Sequence, residues 1–155
     1  MKIVALLVLM LRWLPPVGGT AAREADIAFR LELADAIATD EGITDHEARL
    51  LARIARFESH YRRDVATCKI TGGACDDAGL NCDLGPFQHH ATTTAERLVV
   101  CGSLAGAVRV ARQDVRHSFH VCRELPQEER LAAYARGPAW RTDEAKRLSR
   151  VRWTP

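Results

Sequence analysis

The sequence lacks the markers of several large function classes. Beyond its first dozen residues no segment is apolar enough to cross a bilayer. It has no internal repeat and no low-complexity tract, which sets aside solenoids, propellers and linker-like chains. Neither a paired Cys-x-x-Cys pattern nor Cys-x-x-Cys-His occurs, so structural zinc and covalent haem have no basis in the cysteines. The run Asp76 to Asp83 gathers oxygen ligands around Gly79, but it lacks the regular spacing and the closing glutamate of a calcium-binding EF-hand loop. An excess of positive charge is also missing. Removing residues 1–21 takes away Lys2 and Arg12 and no acid, leaving 20 basic against 20 acidic residues. Nucleic acid is therefore not an expected partner.

What is present begins with Met1-Lys2, an apolar run from Ile3 to Leu11, Pro15-Pro16, and the small residues Gly18, Gly19, Thr20, Ala21 and Ala22. This order is that of a secretory signal with cleavage near Ala21. The run is too short for the roughly 20 residues of a membrane span, and Arg12 interrupts it. The expected organisation is a leader over 1–21 and a single domain over 22–155, monomeric, without a stable membrane span, and periplasmic or secreted.

Export changes the reading of Cys68, Cys75, Cys82, Cys101 and Cys122, because disulfides persist in oxidising compartments. The odd count predicts two bridges and one spare thiol. Cys101 and Cys122 flank a long predicted helix and at 1.5 Å per residue lie roughly 30 Å apart, far beyond the reach of about 7 Å that a disulfide allows. The loop cysteines Cys68, Cys75 and Cys82 are thus predicted to supply at least two bridging partners.

Periodicity predicts a mainly α chain. A first helix over 22–38 carries Ile27, Leu31, Ala34 and Ile37. Thr44-Asp45-His46-Glu47 is a capping box opening a second helix, from about Asp45 to about Tyr61. Residues 67–85 lose the helical period and read as a loop or small hairpin pinned by three cysteines. A short helix over 92–99 precedes a long one with the stripe Leu104, Ala107, Val108, Ala111, Val115, Phe119 and Cys122. Pro126 suits the first turn of a helix carrying Leu131, Ala132 and Tyr134, which Gly137-Pro138 ends, and Thr142 caps a last helix.

On a helical wheel the second helix places Ala48, Leu51, Ile54 and Ala55 in one stripe, and Glu58 falls at its C-terminal end. A carboxylate in such a position either finds a partner, here Arg62 or Arg63, or takes up a proton more readily. The second outcome is what a general acid at a glycosidic bond needs.

The stretch Ala52 to Tyr61, an aliphatic helix ending in Glu58-Ser59 with an aromatic shortly after, resembles the catalytic-helix signature of the soluble lytic transglycosylases of the goose-type lysozyme superfamily. Two further segments follow in that family's order. Leu84-Gly85-Pro86-Phe87-Gln88 resembles its Gly-Leu-Met-Gln segment, and Ala132-Ala133-Tyr134-Ala135-Arg136-Gly137 resembles its Ala-Ala-Tyr-Asn-Ala-Gly segment. The likeness spans about Leu50 to Arg150. It implies a lysozyme-like (α+β) fold and cleavage of the bond between N-acetylmuramic acid and N-acetylglucosamine in peptidoglycan strands, without metal or cofactor. Glu58 would be the single acid/base, with Ser59, Gln88 and Tyr134 as substrate-side groups. Departures are Phe87 at the methionine position, Ala135 in place of asparagine, and the extra loop cysteines.

Two alternatives stay open. Hydrolysis of the goose type calls for an aspartate across the cleft, for which Asp76, Asp77 and Asp83 are available. A non-catalytic peptidoglycan-binding protein is the other, favoured by Ala135 and opposed by the presence of Glu58. His89-His90 and the pair His117 and His120 read as structural or surface residues, since adjacent histidines in a strand or loop point apart.

Overall fold

The computed structural model describes residues 3–153, which form helices and one two-stranded antiparallel hairpin. In chain order these are α1 (Ile3–Trp13), α2 (Thr20–Ala38), α3 (Asp45–Ser59), α4 (Arg63–Ala66), β1 (Cys82–Leu84), β2 (His89–Ala91), α5 (Thr94–Gly102), α6 (Leu104–Val121), α7 (Ala132–Arg136) and α8 (Asp143–Trp153). The mainly helical character and the small cysteine-rich hairpin agree with the sequence pattern. The chain groups into two compact units, Met1–Val110 and Ala111–Pro155.

In the first unit, α3 is the central element. Its start is fixed by the predicted capping box: the Thr44 hydroxyl accepts from the Glu47 amide at 3.1 Å, and the Glu47 carboxylate accepts from the Thr44 amide at 2.9 Å. Residues Leu50 through Ala55 are buried without a break. A helix covered on all sides in this way belongs to the interior rather than the surface.

Both α1 and α2 pack on α3. Leu6 and Met10 of α1 are fully buried, each contributing about 1.5–3 kcal/mol by leaving water. On α2 the inward face differs from the expected one. Phe29, Arg30, Leu33, Ala34 and Ile37 are buried, whereas Ile27 and Leu31 are 38% and 45% exposed. The larger Phe29 and its neighbour one turn on, Leu33, take the inward positions instead. Arg30 can follow them inward because its guanidinium pairs with Asp26 at 2.5 Å and donates to the carbonyls of Met10 and Leu14 at the end of α1.

The hairpin pairs Cys82 with Ala91, Asp83 with His90 and Leu84 with His89, and Gly72 extends it by a bridge to Asp83. It packs against α5, which opens on a second capping box formed by Thr93 and Glu96. Gly85, with φ 72°, turns the chain between the strands; a Cβ there would stand 2.6 Å from Val100 Cγ1 on α5, so only glycine fits.

In the second unit, Cys122, Ala132 and Ala145 form a buried cluster covered by Val121, Leu125, Ala133 and Trp140. Two buried serines tie its backbone. Ser118 donates to the Arg130 carbonyl at 2.7 Å and accepts from the Tyr134 amide at 2.9 Å. Ser149 donates to the Glu128 carbonyl at 2.7 Å and accepts from the Leu131 amide at 2.9 Å. These bonds hold the irregular stretch before α7 without a long helix of its own.

Candidate functional site

Glu58 stands in the last turn of α3 and is half-buried. The buried stripe of Ala48, Leu51, Ile54 and Ala55 continues through Ser59, which is 2% exposed, and Glu58 lies on the margin of that stripe. The Ser59 hydroxyl donates to the Ala55 carbonyl at 2.8 Å, one turn back. Its hydroxyl is thus committed to the helix it ends.

Immediately after Ser59 the backbone turns left-handed twice, at His60 with φ 52° and Tyr61 with φ 56°. Two consecutive non-glycine residues in this region are costly, and such strain persists only where the surroundings hold it. Tyr61 supplies the hold. Its side chain is 1% exposed, its hydroxyl donates to the Ala52 carbonyl at 3.0 Å, and the Arg30 guanidinium lies 4.9 Å from its ring centroid. Burial pushes the phenol well above the usual tyrosine range, so it remains a protonated donor.

Gln88 is also left-handed, with φ 52°. Its amide nitrogen donates to the Gly85 carbonyl at 3.0 Å, and its amide oxygen occupies the space that a Cβ on Gly72 would need. The side chain therefore braces the hairpin from within, a job its sequence motif does not announce. Phe87, at the family's methionine position, is 1% exposed and belongs to the core.

Two disulfides organise this region, and the loop cysteines supply three of the four partners. Cys68 bonds Cys101 with Cα atoms 5.6 Å apart, and Cys75 bonds Cys82 at 4.8 Å; Cys122 is a buried free thiol. The chain leaving α3 passes through α4 to Cys68 and is there joined to α5, which packs on both strands of the hairpin. That bridge ties the segment following the helix that bears Glu58 to α5, the helix on which the Gln88 hairpin packs.

Two of the three loop aspartates, Asp76 and Asp83, have structural partners. The Asp76 carboxylate accepts from the amides of Ala78 at 3.0 Å and Leu80 at 2.8 Å and from the Asn81 side chain at 2.7 Å. The Leu80 amide and then Asn81 hold its carboxyl below the usual range. Asp83 lies 3.0 Å from Nδ1 of His90 across the hairpin. Among the described residues no group of three or more His, Cys, Asp or Glu side chains is arranged to hold a metal ion.

The structure places Glu58, Ser59 and Gln88 in the first unit and Tyr134, half-buried on α7, in the second. A surface concavity of about 280 Å³ opens beside Tyr61 and is lined by Asp26, Phe29, Arg62, Arg63 and Asp64; neither Glu58 nor Gln88 lines it. Sequence reasoning missed Arg30, and it read Tyr61 only as the aromatic closing the stretch from Ala52 to Tyr61, not as the anchor of the turn. Asp26 and Arg30 at i, i+4 signal an ion pair, but nothing in the pattern tells that this pair is drawn inside.

No family model matches this chain, and no curated protein and no solved structure was found that matches it.

Proposed function

We propose that this protein is an exported, lysozyme-like glycan-cleaving enzyme of the lytic transglycosylase type, acting on peptidoglycan with Glu58 as its single acid/base. The observation that carries the reading is the setting of Glu58. It lies in the last turn of a buried central helix, with Ser59 between it and two strained left-handed residues that Tyr61 and Arg30 hold in place. Strain maintained by buried partners clusters at functional sites. The left-handed Gln88 adds to this, because it falls in the second family-like segment. The two disulfides suit an oxidising compartment.

In the proposed reaction Glu58 donates its proton to the oxygen linking N-acetylmuramic acid to N-acetylglucosamine as the bond to the anomeric carbon breaks. The N-acetyl group assists at that carbon. The Glu58 carboxylate then accepts the proton of the sugar's own 6-hydroxyl as that oxygen closes on the anomeric carbon, giving a 1,6-anhydro end. No second carboxylate is required, because the nucleophile is intramolecular and arrives at a high effective concentration. Gln88, in the same unit as Glu58, is the residue proposed to hold the sugar.

Hydrolysis of the goose type would draw on an aspartate to position water. The engagement of Asp76 in its turn and of Asp83 with His90 favours the transglycosylase reading over it. The deciding experiment is mass analysis of digested peptidoglycan. Anhydromuramyl products are expected; reducing ends would make the enzyme a hydrolase, and intact glycan would leave a binding protein.

A further inference from the structure

We infer that α1 remains part of the folded protein and seats it on an anionic membrane surface, with Val4, Ala5 and Val8 in the lipid and Arg12 and Arg23 among the headgroups. The helix is apolar on two faces. The inner face, Leu6 and Met10, is fully buried against the rest of the first unit, and the guanidinium of buried Arg53 lies 5.5 Å from the ring centroid of Trp13. The outer face is open: Val4 is 69% and Val8 57% exposed, and Val17, just past Pro15-Pro16, is 82% exposed. Val4, Val8 and Arg12 follow one another at i, i+4 spacing, so the apolar stripe ends on an exposed cation.

The occupant of that face is set by charge. Residues 1–23 contain Lys2, Arg12 and Arg23 and no acid, the first being Glu24. Apolar side chains flanked by cations alone match a bilayer carrying anionic headgroups. The helix has 11 residues, and at about 1.5 Å per residue it is roughly half the thickness of a hydrocarbon core, so it lies along the surface rather than across it.

Retention follows from what α1 does for its neighbours. The bond expected to be cut, near Ala21, lies inside α2, where the Arg23 amide already bonds the Gly19 carbonyl at 3.0 Å. Loss of α1 would also strip buried Arg30 of its carbonyl acceptors on Met10 and Leu14, leaving a guanidinium with Asp26 as its remaining ion-pair partner.

The inference does not depend on glycan cleavage, and its test does not use it. The full chain is floated with vesicles of phosphatidylethanolamine and phosphatidylglycerol, and separately with phosphatidylcholine vesicles. Binding to the anionic vesicles is expected, weakened by salt. The double variant Val4→Glu/Val8→Glu should reduce it by at least about tenfold, whereas Leu98→Glu, at a 69% exposed apolar site on α5, should not. Arg12→Glu/Arg23→Glu, which leaves the apolar stripe in place, should abolish the preference for anionic over neutral lipid. The intact mass of the exported protein should include residues 3–13. A mature chain starting near Ala22, vesicle binding indifferent to both double variants, or no binding at all would overturn the proposal. A change from dimer to monomer in Val4→Glu/Val8→Glu without vesicle binding would put a second copy on this face and overturn it equally.

Discussion

The Tyr61 hydroxyl donates to the main-chain carbonyl of Ala52 at 3.0 Å, folding the chain that leaves α3 back along the helix it has just ended. The bond explains how two left-handed residues are tolerated in succession: the side chain of the second is anchored inside the first unit, beneath Arg30. Tyr61→Phe keeps the ring and its burial and deletes only this bond. A loss of about 1 kcal/mol is expected, read from a denaturant midpoint at unchanged slope. An unaltered midpoint would show that the ring alone holds the turn.

His60 tests the strain from the other side. It is exposed, its side chain has no role in the hold, and its φ is 52°. His60→Gly removes the Cβ penalty of the left-handed region and is expected to stabilise the protein by roughly 0.5–1 kcal/mol, part of the gain being offset by the greater freedom of glycine in the unfolded chain. A lower melting temperature in this variant would mean that the turn is not strained.

The helices were legible because their signals are local. Thr44 and Glu47 are three residues apart and satisfy each other, and the stripe of α6 from Ala107 to Cys122 keeps its period in the structure. Arg30 was not legible, because the groups that let it enter the core, the carbonyls of Met10 and Leu14, lie 20 and 16 residues away in sequence. The same holds for the hairpin. Its turn residues announced a bend, but β2 lies beyond the stretch that looked irregular, since His89-His90-Ala91 carries no strand pattern of its own and pairs only because Gln88 and Gly85 shape the turn. Glu58 was singled out first by the wheel and then by likeness of motif, while its position at the edge of the buried stripe, with Ser59 inside, was not resolved by a wheel of 100° per residue.

For the proposed acid/base, Glu58→Gln is expected to remove nearly all glycan cleavage with little change in melting temperature, because volume and polarity are kept and the exchangeable carboxyl proton is lost. Gln88→Ala is expected to slow cleavage without moving its acid limb. Substantial turnover in Glu58→Gln would place the acid elsewhere.

The two disulfides should differ in worth. Cys68–Cys101 closes a separation of 33 residues and Cys75–Cys82 one of 7. In the chain-entropy account the first contributes about 4 kcal/mol and the second about 2 kcal/mol. Paired serine variants of each, compared by chemical denaturation under oxidising conditions, should show the larger loss for the long-range bridge. Equal losses would mean that the short bridge instead acts by shaping the Asp76 turn.

That turn should also appear in the pH dependence of stability. The carboxyl of Asp76 is held below its usual range chiefly by the Leu80 amide and the Asn81 side chain, so its folded value lies below its unfolded one. A group depressed in this sense stabilises the fold fully above its unfolded pKa, about 3.9 for an aspartate, and the contribution disappears as pH falls through the lower folded value. Glu96, depressed by the Thr92 amide at the start of α5, acts in the same direction. Asp76→Asn is therefore expected to melt below the parent at neutral pH, with the gap closing as pH drops below about 4. Melting curves taken from neutrality into acid decide the matter. A gap that stays constant across that range would show that Asp76 works through its shape and hydrogen bonds alone, its charge adding nothing.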